Sequence, residues 1–94
     1  MNKAFVEYPT FDQANKEGGD LSGLFLDHGF FEGMVAWQVT AHRDHDTGAL
    51  TFAPLFHVRR NPYETPSNRL AERVACTLAG LGHRAVVDTK IYSI

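Results

Sequence analysis

His42-Arg43-Asp44-His45-Asp46 sets two imidazoles and two carboxylates within five residues, donors that divalent metals accept. A metal needs three or four such donors converging on one point, and no CxxC or HExxH motif supplies the rest. His42 and Asp44 share one face of an expected strand, while His45 belongs to a loop. The stretch therefore reads as a polar turn at the exposed end of a hairpin, and no metal ligand is assigned. Five histidines also invite acid–base chemistry near neutral pH. His42 and His57 point to the same sheet face, but about six residues separate them along the ladder. At roughly 3.3 Å per residue that is about 20 Å, too far for concerted proton transfer. His28 and His83 sit beside glycines in expected turns. No GxSxG elbow or P-loop is present, and Gly18-Gly19-Asp20-Leu21-Ser22-Gly23 lacks the lysine that cradles phosphate. No catalytic residue and no cofactor follow from these patterns.

Cys76 is the single cysteine, so it forms no internal disulfide. On a helix it lies about 240° round from Leu70, away from the apolar stripe. The basic residues carry more information. Arg69 and Arg73 fall in the N-terminal half of an expected helix, where the macrodipole favours negative charge. Their i, i+4 spacing is a like-charge pair that costs about 0.2–0.5 kcal/mol, offset in part by Glu72. Arg59 and Arg60 end the strand that feeds this helix, and Arg84 opens the strand that follows. Arg59, Arg60, Arg69, Arg73 and Arg84 thus form the candidate partner- or anion-binding set, suited to phosphate or an acidic protein surface. The competing reading is an ordinary solvated helix face.

These residues must be positioned by a small scaffold whose clearest element is a long β-hairpin at roughly residues 33–59. Val35, Trp37, Val39 and Ala41 alternate with Met34, Ala36, Gln38, Thr40 and His42; Leu50, Phe52, Pro54, Phe56 and Val58 alternate in the same way. Burial selects the register Val35–Val58, Trp37–Phe56, Val39–Pro54 and Ala41–Phe52, because a one-residue slip mixes the faces. Pro54 must sit at a non-bonding position, a bulge or an edge. A helix is expected from Pro66 to Gly80, capped by Thr65, with the stripe Leu70, Val74, Leu78 and Leu81 covering the Trp37/Phe52/Phe56 face. A strand over Arg84–Tyr92 completes a strand–helix–strand unit.

The N-terminal third suggests a strand at Ala4–Tyr8 and a short helix from Thr10 to Glu17, ended by Gly18-Gly19. Leu21–Leu26 and Phe30–Glu32 read as extended segments about an Asp27-His28-Gly29 turn. The expected fold is a single α+β domain over 1–94: a mostly antiparallel sheet with two helices on one face. Its order is the ferredoxin-like βαββαβ, with room for an extra short strand near 21–26. The sheet face away from the helices lacks the aromatics that an RNA-recognition sheet stacks on bases. That face suits a protein partner, a second copy, or partial cover by residues 1–32.

Ninety-four residues with 44% hydrophobic and 21% charged content bound the chain to one ordered domain. The first residues show no signal peptide and no span is apolar enough for a bilayer, so a cytoplasmic protein without membrane contact is expected. Net charge is −2, too small to argue for nucleic acid alone. Residues 1–32 carry two basic and six acidic groups, residues 59–94 six basic and three acidic; folding either sets these as one acidic and one basic surface or interleaves the two segments and erases the polarity. The leading functional expectation is a small non-catalytic protein-binding module: an adaptor, regulator or inhibitor, with a phage or mobile-element product acting on a host complex as one fitting case; a homodimer is a separate expectation compatible with each. The alternatives are nucleic-acid binding through the arginines and a small metal- or histidine-dependent enzyme.

Overall fold

The structure, a computed structural model, describes residues 5–27, 33–65, 67 and 69–93, with the side chains of residues 26 and 27 excepted. The chain runs α1 (Phe11–Asp27), β1 (Val35–Arg43), β2 (Leu50–Val58), α2 (Leu70–Gly80), β3 (Arg84–Val87) and β4 (Lys90–Tyr92). The fold is α+β. Its mixed sheet is ordered β1-β2-β3-β4, with β2 and β3 parallel and the other neighbours antiparallel.

The hairpin has the expected register: Val35 opposes Val58, Trp37 opposes Phe56, Val39 opposes Pro54 and Ala41 opposes Phe52. Its turn is built by Asp44, whose Oδ1 accepts the N–H groups of Asp46 (2.8 Å) and Thr47 (3.0 Å). Gly48 supplies the left-handed backbone (φ 74°) that closes it. On its other side β2 is paired at two separate places. Tyr8 exchanges backbone hydrogen bonds with Phe52 at 2.7 and 2.8 Å, and β3 takes over from Leu55. Pro54 lies at the junction between them, where its missing N–H interrupts no ladder.

Besides the later start of α2 at Leu70, three elements differ from the sequence expectation. The N-terminal strand is reduced to the single bridge at Tyr8, with the Val6 N–H donating to Gly82 O at 2.7 Å. The first helix starts at the predicted cap, where Thr10 Oγ1 accepts the Gln13 N–H at 3.2 Å, but it runs on through Gly18-Gly19 to Asp27. The segment expected as an extra strand at 21–26 is therefore helix. Trp37 explains the override at Gly18: a Cβ there would stand 2.2 Å from the indole Cδ1, so this glycine admits the ring while the helix runs on. The last strand is two strands, folded back at Asp88 (φ 56°). Together these changes replace the ferredoxin-like βαββαβ order, and the parallel β2–β3 pair makes the sheet mixed. His28, Phe30, Phe31 and Glu32 lie outside the described residues.

Both helices pack on one face. The α2 face carries Ala71, Val74, Ala75 and Leu78 onto Phe56, Val58, Ala85 and Val87, all buried. Met34, expected on the opposite face, joins this core at 1% exposure because it precedes the regular strand. Leu81, expected in the helix stripe, is half exposed. Trp37 is covered by α1 rather than α2 and keeps 36% of its surface exposed. Its Nε1–H donates to Asn15 Oδ1 at 3.0 Å.

Candidate partner-binding surface

Strand β2 leaves the sheet through Arg59, whose N–H donates to Met34 O at 2.8 Å. Arg60 then bridges two elements. Its Nε lies 2.9 Å from Asp88 in the β3–β4 turn, and its other end reaches Glu72 on α2. The two carboxylates raise the already high Arg60 pKa, and Arg60 holds the Glu72 carboxyl below its ordinary range. Asn61 turns the chain, its Oδ1 accepting the Tyr63 N–H at 2.9 Å and its O accepting the Glu64 N–H at 2.9 Å. The Glu64 carboxylate accepts the Leu70 N–H. That contact starts α2 at Leu70 instead of Pro66, and Thr65 hydrogen-bonds Ser67 rather than capping the helix. The helix N-terminus already holds a carboxylate of its own chain, so its amides are less open to a foreign anion than the sequence implied.

The five candidate arginines divide into three environments. Arg60 is neutralised by Asp88 and Glu72. Arg84 lies on the sheet face away from the helices, where its guanidinium stands 4.3 Å from the Phe5 ring centroid. It donates to Thr40 Oγ1 at 2.8 Å and to His42 Nε2 at 3.1 Å, and burial lowers its pKa against the opposing influence of Glu7. Arg59, Arg69 and Arg73 are exposed and form no ion pair among the described residues. Arg69 does lower the Glu72 pKa through space, behind the larger effect of Arg60.

Shallow depressions surround this end of the molecule. One of ≈ 390 Å³ is lined by His57, Val58, Arg59, Arg60, Val86 and Asp88. A second of ≈ 130 Å³ shares Arg60 and adds Asn61, Glu64, Thr65 and Arg69. Arg73 borders a third of ≈ 210 Å³ with Phe25, Leu70, Val74 and Thr77. Sequence reasoning missed Tyr63, which stands 91% exposed on the same loop. Its signal was available: an aromatic between Pro62 and Pro66, in a stretch with no apolar periodicity, has no core to enter.

The histidines and the cysteine are placed apart. His42 contacts Thr40 and Arg84, His57 Nε2 lies 3.1 Å from Gln38 Oε1, and Asp44 is occupied in its own turn. His83 is buried against Phe56 (ring centroids 5.6 Å), and desolvation lowers its pKa from 6.5. Cys76 is exposed. Among the described residues no three of His, Cys, Asp or Glu converge as a metal site requires, and no helix is long and apolar enough to cross a membrane. Comparison with protein-family models, curated proteins and solved structures gives no match.

Proposed function

We propose that this chain is a small non-catalytic protein-binding module, an adaptor, regulator or inhibitor, that engages an acidic protein surface through its Arg59–Arg73 end. One observation carries the reading: the exposed Tyr63 stands on a loop flanked by the exposed Arg59 and Arg69, which form no ion pair among the described residues, while Arg60 fixes that loop to both α2 and the β3–β4 turn. Tyrosine and arginine are the residue types that dominate binding energy at protein interfaces. An anchored loop also loses less conformational entropy on binding than a free one. Shallow, open depressions suit a protruding partner surface better than an enclosed small molecule.

The test is affinity capture from the source cell, comparing wild type with the double variant Arg69→Glu and Arg73→Glu. A protein retained by wild type, resistant to nuclease and lost with the double variant supports the reading. Retention of the same protein by the double variant contradicts it. Capture abolished by nuclease, with strong salt dependence, would instead assign the surface to nucleic acid.

A further inference from the structure

The sheet has two edges of unlike construction. β4 is three residues long and begins with Lys90, features that discourage further pairing. β1 is nine residues long, Val35–Arg43, without proline, lysine or bulge. The N–H of Arg59 donates to Met34 O and the N–H of Asp44 to Ala49 O, which fixes the alternation of its backbone groups. Even-numbered residues bond to β2. The N–H and C=O groups of Val35, Trp37, Val39, Ala41 and Arg43 therefore point away from the sheet. This edge also carries the half-exposed Trp37, along with exposed Ala36, Gln38 and Ala41.

We propose that β1 pairs antiparallel with β1 of a second copy of this chain, about a twofold axis at Val39. The occupant follows from the strand's own side chains, which are complementary to themselves when reversed. Centred on Val39, Trp37 opposes Ala41 and His42 opposes Ala36, a large residue against a small one each time. Gln38 opposes Thr40, two hydrogen-bonding groups, and Val39 opposes Val39, a favourable β-branched pair. Arg43 opposes Val35, so the two Arg43 side chains stand about 27 Å apart, well beyond the screening length at physiological salt. The parity agrees: outward-pointing residues face each other, giving about ten backbone hydrogen bonds across the axis. Registers centred on Gln38 or Thr40 have the same parity but align only seven of the nine residues, and those centred on Trp37 or Ala41 only five, the Trp37 register setting two indoles against each other. The result is a continuous sheet joining both four-stranded halves, with the two α1 helices on the same face.

This surface adjoins the Arg59–Arg73 end at Val35 but uses different residues, and its test varies Val39 at mid-strand, so its failure leaves the proposed function standing, and the reverse. Sedimentation across a range of concentrations should give a species of twice the 10.5 kDa chain mass. Val39→Lys sets two ammonium groups directly opposite each other, and Val39→Glu two carboxylates. Each should weaken the dimer by about 100-fold or more, whereas their equimolar mixture should restore it as a heterodimer. Val39→Pro, which deletes only an outward N–H, should give a folded monomer by circular dichroism. A wild-type monomer at every concentration would overturn the proposal. So would a folded Val39 variant that remains dimeric alone, or a charge-swapped mixture that fails to reassociate.

Discussion

The helix-covered face of the sheet divides into two halves that use their residues differently. Under α2, Phe56, Val58, Val74, Leu78 and Val87 are each at most 4% exposed, a closed apolar contact. Under α1, the largest aromatic of the sheet is 36% exposed, held by two helical glycines and one hydrogen bond to Asn15. Dry packing supplies stability, and an incompletely covered indole beside a strand edge that no described strand pairs supplies surface for contact. The α2 half holds the molecule together; the α1 half leaves β1 available.

Mutation should separate the halves most sharply in their cores. Phe56→Ala should destabilise by about 3–5 kcal/mol in urea unfolding, and Trp37→Ala by visibly less despite its larger ring. Equal losses would break the comparison. Gly18→Ala comes next. The added Cβ meets the indole, so about 1–3 kcal/mol of destabilisation is expected, although alanine favours helix. In a Trp37→Ala background the same change should reverse sign and stabilise by about 0.5–1 kcal/mol. A double-mutant cycle without that reversal would remove the indole as the reason for the glycines.

The buried His83 gives a smaller effect that depends on pH. Its folded pKa lies below the unfolded value of 6.5 because burial disfavours the imidazolium. As pH falls below 6.5 the unfolded chain takes up a proton that the folded chain does not. This contribution to stability is complete above 6.5 and declines on acidification until the folded pKa is reached. Thermal melts between pH 7.5 and 5 should show that decline in wild type and a shallower one in His83→Phe. Identical slopes would contradict the assignment. Smallest in stability is Asp88→Asn, which removes the charge from one exposed partner of Arg60. The melting temperature should barely move, while hydrogen exchange at residues 61–65 should quicken; unchanged exchange would mean that the Asp88 charge does not help Arg60 order the loop.

How much of this could be read from the residues follows the same division. The hairpin register and the Val74 and Leu78 centre of the α2 stripe, though not Leu81, were legible because period-2 and period-3.6 burial leave few alternatives when one face must be dry. Helix α1 was not legible past Glu17. Gly18-Gly19 is a stop signal by local propensity, and only the tertiary approach of Trp37, 19 residues later for Gly18, makes it a groove. The fold-back at Asp88 was missed because an aspartate in left-handed backbone leaves a weaker sequence signal than Asn-Gly. At the candidate surface, the arginine positions were legible but their partners were not. Arg60 and Arg84 are drawn to groups 28 and 42 residues away in sequence, which no local spacing announces. Tyr63 was visible as an aromatic without periodicity, and became informative only once the arginines around it were placed.

The most direct test of the account is the affinity of the captured protein partner for wild type and for Tyr63→Ala, measured by titration calorimetry beside a thermal melt of each. Tyr63 is 91% exposed, so its loss should leave the melting temperature unchanged while the Kd rises about tenfold or more. Unchanged affinity in a variant with an unchanged melt would contradict the assignment of this loop as the binding surface.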